Sequence, residues 1–413
     1  MIRSMSSALS GMRNSQTMLD VVGNNIANVS TVGFKSSTAI FSDVLTQTLQ
    51  GASAPTATAG GSSAAQIGLG ARLAGTMQSF TQGAIQSTGR NTDVAIQGDG
   101  FFVVDGAAGQ MFTRSGALTL DANGNLTTAE GNLVQGWQGD VSGNVNTNAD
   151  PGPVEIRVGD LLSPKQTTMV DLGGNLSAAA AVGYSTTLTL TGYDTQGNSI
   201  PINVSFTKTA ANAWTASATY GPTATAVTLT DAALTFNANG ELTAPVDRDI
   251  NIAGGQIPGF TGAISLALGG ASSPGRLTQF AGTTTAGIKN QDGGSAGTLQ
   301  AFTINQQGVI TGNYSNGRSR TIGQLAIAVF TNPTGLERVG GAWTKSPNSG
   351  EPEIGTAGSG GRGLLAWGTL EGSNVDLAEE FTRLIVAQRG FQGNARVITT
   401  ADEVLQEVVN LKR

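Results

Sequence analysis

Leu377, Phe381, Leu384, Gln388, Phe391, Ala395, Ile398, Asp402, Leu405 and Val409 recur at alternating intervals of four and three residues. That is the a/d period of a coiled coil, and it predicts one helix over the last forty residues. Ser373, followed three residues later by Asp376, predicts a capping box, with Glu379 and Glu380 in the first turn. Lys412 and Arg413 suit the opposite end of the helix dipole. From Asp376 onward such a helix spans about 55 Å at 1.5 Å per residue. A helix with a single apolar stripe is marginal in water and needs a partner.

The other end of the chain supplies one. Met5, Leu9, Met12, Gln16, Leu19, Gly23 and Ile26 follow the same alternation, with Val22 beside the seam. All twelve prolines fall between Pro55 and Pro352, so helix-breaking residues are confined to the middle. The two termini are therefore expected to form one coiled-coil-like helical domain whose halves meet each other and neighbouring subunits.

The middle reads as β-structure. Asp93–Gly98 alternates, Gly100–Asp105 reads as a buried strand, and Asn123-Gly124 is the preferred pair for a type I′ hairpin turn. The strand–glycine turn–strand pattern at 120–127 returns at 236–243 and 304–311 at unequal intervals, which is reuse of a hairpin and not a solenoid. Asp150-Pro151-Gly152-Pro153 opens a distinct block with strands at Ser185–Leu190, Ile202–Phe206, Ala213–Tyr220, Val227–Leu229 and Ile264–Leu268. Gln324–Phe330 reads as a further strand. A short segment bearing Phe41, Val44, Leu45 and Leu49 is compatible with helix, and 51–65 reads as a low-complexity linker unable to order itself. The fold class is mainly β with terminal α-helices. Residues 1–70 and 369–413 form the helical domain with its linker, 71–149 and 286–368 a β-rich middle domain, and 150–285 an inserted outer β-domain.

Composition excludes several functions. Only 12% of the residues are charged, about half the globular norm, and the net charge of −6 offers no nucleic-acid surface. There is no Cys, hence no disulfide or thiolate metal site, and no His, the commonest general base and metal ligand. Met1-Ile2-Arg3-Ser4-Met5 is followed by no apolar h-region, which predicts no cleaved secretory signal. No apolar run approaches the roughly 20 residues that span a bilayer.

Longer motifs resemble a known family. Leu19-Asp20-Val21-Val22-Gly23-Asn24-Asn25-Ile26-Ala27-Asn28, continuing through Val32-Gly33-Phe34-Lys35, resembles the amino-terminal signature of bacterial flagellar rod and hook proteins. Glu371-Gly372-Ser373-Asn374-Val375-Asp376-Leu377 resembles their carboxy-terminal signature. Gly98–Phe102, Phe112-Thr113-Arg114-Ser115-Gly116 and Thr331–Leu336 match further, while Gln279-Phe280-Ala281 and Asn290–Leu299 are similar to the hook subfamily.

The resemblance implies a subunit of a helical polymer outside the cell, in the hook and basal body of the flagellum. It also implies export by the flagellar type III apparatus and no cofactor. The implied partners are further copies of the chain, the distal rod protein, the hook cap and the hook–filament junction protein. Stripes and signatures together give the expected polymerisation interface: Leu9, Met12, Leu19, Val22, Asn24, Asn25, Ile26, Asn28, Phe34, Asn374, Val375, Leu377, Phe381, Leu384, Ile385, Gln388, Phe391, Ile398 and Leu405. The alternatives are a distal rod protein of the same family or a secreted adhesin or fibre protein; an adhesin needs one anchor and no pairing of its two ends.

Catalytic readings fare poorly. Asp121, Asn123 and Asn125 mimic part of a calcium loop, but Gly124 is misplaced and no bidentate Glu follows. Asp247 and Asp249 could serve a glycosidase, yet a solvated loop accounts for them. Gln16, Gln388 and Asp402 interrupt the stripes, either as solvent-facing slots or as register markers between helices.

Overall fold

The computed structural model describes residues 2–55, 60–107, 109–269 and 276–410. It divides into two compact units, the first built from Met1–Arg157, Phe302–Thr311 and Arg320–Arg413, the second from Val158–Ala301 and Gly312–Ser319.

In the first unit, α1 spans Ile2–Ala27 and α2 spans Leu377–Asn410. α1 stops where the Asn28 side-chain amide donates to Asn24 O at 2.8 Å and its N–H is shared between Asn24 O and Asn25 O. Gly33, at φ +69°, then turns the chain. The capping of α2 differs from the expected box. Asp376 is itself the cap, its Oδ1 accepting the N–H groups of Ala378 and Glu379 at 2.8 and 3.3 Å, while Ser373 Oγ accepts only from Val375. Lys412 and Arg413 lie outside the described residues.

The segment expected to be helical is a long hairpin. Ser37–Asp43 (β1) pairs antiparallel with Ala71–Gln78 (β4), and Thr46–Gln50 (β2) with Ala65–Gly68 (β3). Phe41, Val44, Leu45 and Leu49 gain their structure from this long-range pairing, which overrides a weak local pattern. The linker expectation changes too: Ser53 and Ser62 exchange backbone hydrogen bonds of 3.0 and 3.2 Å near the hairpin's tip.

Beyond it lies an aromatic core. Phe101, Phe112, Trp137, Phe330 and Trp343 are buried together, with Phe112 edge-on to Phe330 at 4.7 Å and Phe101 edge-on to Trp343 at 5.6 Å. The run at Gln324–Phe330 breaks at Ala326, whose N–H donates to Gln135 O, so one expected strand becomes Ser319–Leu325 and Ile327–Val329. Residues 150–157 belong to this unit and not to the outer block, because Val154 and Ile156 are fully buried here and hydrogen-bond to Val134 and Gly124.

The expected type I′ turn is also corrected. At Asp121–Asn125 only Gly124 has positive φ, at +87°, and its N–H donates to Asp121 O. Asp121 Oδ1 takes the N–H groups of Asn123 and Asn125, which holds Asn123 in an ordinary conformation and leaves one left-handed residue as a bulge. The same device recurs at Asp140, Asp194, Asn237 and Asn305, each with a glycine three residues on. The Asn125 side chain and surrounding amides hold the Asp121 carboxyl below the usual range.

The second unit is a sandwich. Ser185–Tyr193, Ser199–Ala210 and Ala213–Tyr220 form an antiparallel sheet, and Asp249–Ile252, Ile264–Ala267 and Met169–Asn175 lie in another. Leu190, Ile202, Val204, Phe206 and Trp214 from the first are buried with Val170, Leu172, Ile250 and Leu266 from the second. The outward positions of Ser185–Tyr193, Ser199–Ala210 and Ala213–Tyr220 carry Ser, Thr, Asn, Pro, Ala and Tyr193 and no charge. Thr187 bonds Ser205 and Thr189 bonds Asn203, each at 2.7 Å, and Thr207 bonds Ser185 at 3.2 Å.

Asp292 ties this unit's edge. Burial alone would raise its pKa, but the N–H of Met169, the hydroxyl and N–H of Thr168, and Lys165 outweigh burial and lower it to about 2. A pKa depressed in the folded state contributes stability that is complete above the unfolded value of 3.8 and is lost as pH falls toward 2. Asp292→Asn is therefore expected to lower the unit's melting temperature at pH 7 and to make little difference near pH 2. A deficit that does not change with pH would contradict this assignment.

Candidate assembly surface

The terminal helices pair, but not along their bulky stripes. The two helices meet at Gly11 against Asn394, Ser15 against Gly390 and Asn25 against Glu380, and the buried Ala8 and Val22 of α1 and Ala387 and Ala401 of α2 fall on the same faces at intervals of seven. Most of these lie one residue before the stripe read from sequence. Small side chains let the backbones approach: a methyl on Gly11 would fall 2.6 Å from the Asn394 amide, and one on Gly390 3.1 Å from Ser15 Oγ. Close approach at Gly390 thus involves the chain's own α1. At Gly393 a methyl meets nothing within 4 Å. Gly393→Ala is accordingly expected to stabilise α2 by about 1 kcal/mol in the isolated subunit, visible as a higher melting temperature by far-UV circular dichroism.

Where this seam reaches the root of the helices it becomes polar. Asn25 is fully buried, its Oδ1 accepting the Ser37 N–H at 3.0 Å and its Nδ2 donating to Ser37 O at 2.8 Å and Glu380 Oε1 at 3.2 Å. Burial holds the Glu380 carboxyl above its usual pKa despite Asn25 and Arg383. Asn374 repeats the clasp: Oδ1 accepts the Ser36 N–H, and Nδ2 donates to Ser79 O and Thr81. Beneath lies a charged triad. Lys35 Nζ is 2.6 Å from Glu371 Oε1 and Arg114 Nη1 3.4 Å from Glu371 Oε2, with side chains 0%, 0% and 2% exposed for Lys35, Glu371 and Arg114. Lys35 also donates to Thr81 O, Glu371 accepts the Gly83 N–H, and the Arg114 guanidinium lies 5.3 Å from the Phe101 ring centroid.

By burial the expected interface residues separate into three groups. Val22, Asn25 and Phe34 are buried inside the single subunit, Asn25 against Ser37 and Glu380 and Phe34 beneath the Arg338 guanidinium. Met12, Leu19, Ile26, Asn28, Asn374, Val375, Leu384, Ile398 and Leu405 are half-buried, whereas Leu9, Asn24, Leu377, Phe381, Ile385, Gln388 and Phe391 are exposed. Phe381 and Ile385 keep 51% and 56% of their surface in solvent.

Sequence reading missed a second apolar surface. Ile40, Val44, Leu45, Leu49, Ile67, Leu73 and Met77 are exposed along the β1–β4 hairpin. It also missed the triad, whose members lie within the signature motifs but far apart in the chain. Asp249, half of the imagined acid pair, has its pKa raised by burial, by Asp247 and, more weakly, by Asp171 of the strand Met169–Asn175; Asp249 and Asp171 lie along one sheet, flanking Ala267.

The signatures and the nested β-units agree with known proteins. Models described as Flagella basal body rod protein, Flagellar hook protein FlgE/F/G D1 domain, Flagellar basal body protein FlaE D2 domain and Flagellar basal body rod FlgEFG protein C-terminal match residues 5–35, 95–175, 164–294 and 367–411. The flagellar hook protein FlgE of Treponema pallidum is 40% identical, with all of both chains covered, and that of Salmonella typhimurium 38%, with 99% of this chain and 100% of the other covered. The chain belongs to the flagellar hook protein family. It is a structural subunit of the bacterial flagellar hook. A flagellar basal-body rod protein, FlgG of Bacillus subtilis, is more distant at 31% identity over the whole of both chains. The fold is shared with the crystal structure of Helicobacter pylori flagellar hook protein FlgE2, at a TM-score of 0.52 and 14% identity over 68% of this chain and 98% of that one.

Proposed function

We propose that copies of this hook-family chain polymerise into a flexible tube that carries torque from the rod to the filament. The observation that supports this reading is the unpartnered stripe of Leu377, Phe381, Ile385 and Phe391 on α2, beside a small-residue seam that already satisfies α1. Bulky apolar side chains left in water on a helix that has its own partner call for a second helix, and an identical subunit supplies one. The groove of about 510 Å³ lined by Ser4, Arg396, Val397, Thr400, Ala401 and Val404 lies at the far end of the same helix pair.

In this reading, close-packed α-helices bear torsion while the sandwich, with its uncharged face, makes weak and exchangeable contacts as the tube bends. The distal rod protein, hook cap and hook–filament junction protein meet the ends of the polymer, and subunits leave the cell through the flagellar type III apparatus. Deleting the gene and examining purified basal bodies by electron microscopy tests the assignment. Complete rods without hooks are expected, with hooks restored by the gene in trans. Basal bodies that lack their distal rod would favour the rod alternative.

A further inference from the structure

The triad at the root of the helices has an unequal charge balance: two buried cations, Lys35 and Arg114, share one buried carboxylate, Glu371. The next acid that Arg114 senses, Asp99, makes no salt bridge with it. A buried cation without a partner costs several kcal/mol, and removing one member of a buried pair is far worse than never having built it. Lys35 comes from the stretch after α1, Arg114 from the β-core and Glu371 from the strand Thr369–Glu371, which pairs with Ile85–Ser87 just before α2. Glu371 also holds the turn before Lys35 through its own backbone, its carbonyl accepting the Gly33 N–H at 2.8 Å.

We propose that Glu371 is a charge latch: the root of α1 docks on the β-core only when the carboxy-terminal segment has inserted this carboxylate. Until then Lys35 and Arg114 stay hydrated, because closing the site would strand both charges. Phe34 and Gly33, neighbours of Lys35 in the chain, stay undocked with it. The two ends of the chain consequently lock in one step and not independently. The inference concerns the single subunit and does not rest on the polymer.

Hydrogen exchange on the full-length protein tests it. Glu371→Gln keeps the shape and removes the charge; exchange at residues 31–37 is expected to rise at least a hundredfold, with Phe101–Gly106 unchanged. Adding Lys35→Met and Arg114→Met to Glu371→Gln removes the stranded cations and is expected to return protection to within tenfold of the parent. Exchange in Glu371→Gln within threefold of the parent would overturn the latch. So would a triple variant as unprotected as the single one, since packing and not charge would then control docking. If Glu371→Gln loses the near-UV signal of the Phe101–Trp343 cluster, the effect is global and the local latch is wrong.

Discussion

Phe381→Asp is expected to yield a folded subunit that no longer polymerises. In the subunit Phe381 is half-exposed and faces away from the Ala387–Ala401 line that packs on α1, so a charge there meets water. Surface substitutions of this kind usually change stability by about 0.5 kcal/mol or less. Against a neighbour's apolar helix the same carboxylate is desolvated without a partner, costing about 3 kcal/mol or more per subunit. That is over a hundredfold in the concentration needed to assemble. Sedimentation of polymers, paired with near-UV circular dichroism of the subunit, separates the two effects. Hooks of normal yield from Phe381→Asp would show that the stripe meets solvent in the polymer. Leu384→Asp is less clean, because Leu384 is half-buried and its loss would also disturb the subunit.

Gly33→Ala is expected to weaken the subunit itself. Gly33 has φ +69°, a region that costs other residues about 1–2 kcal/mol, and its missing Cβ would sit 2.7 Å from Arg114 C and Ser115 N. Those are backbone atoms of the β-core and cannot rotate aside. The turn must open, which strains the Gly33–Glu371 hydrogen bond and the burial of Phe34 and Lys35. A loss of about 3 kcal/mol in chemical denaturation is expected. A loss under about 1 kcal/mol would mean that the turn adjusts without disturbing its neighbours.

The terminal helices were legible in the sequence because Leu, Met and Phe at four–three spacing carry a strong periodic signal. The seam between them was not, because Ala8, Gly11, Ser15 and Ala387 lack the bulk that marks a hydrophobic face, so the eye follows Leu9 and Phe381 instead. The β1–β4 hairpin was missed for a different reason. Its strands are held by partners 15 to 41 residues away, and Val44, Leu45 and Leu49 have no local alternation to betray them. The strands of the sandwich were legible, since Ala213–Tyr220 alternates cleanly between core and solvent. The turn type at Asn123-Gly124 misled because the pair preference ignores Asp121, whose carboxylate captures the amides first. Lys35, Arg114 and Glu371 stand in the signature motifs as plain charged residues, and only three-dimensional convergence shows that they share one site.

The uncharged face of the sandwich's first sheet has a consequence for its response to salt. Mobile ions weaken attraction and repulsion between charges over a distance of about 10 Å at 0.1 M salt and about 30 Å at 0.01 M. Ser185, Thr187, Thr189, Asn203, Ser205, Thr207, Thr215 and Ser217 offer hydroxyls and an amide, on which such screening has nothing to act. A neighbour docked on that face would gain no charge–charge attraction there, so its binding is expected to change little between about 0.01 M and 0.1 M salt.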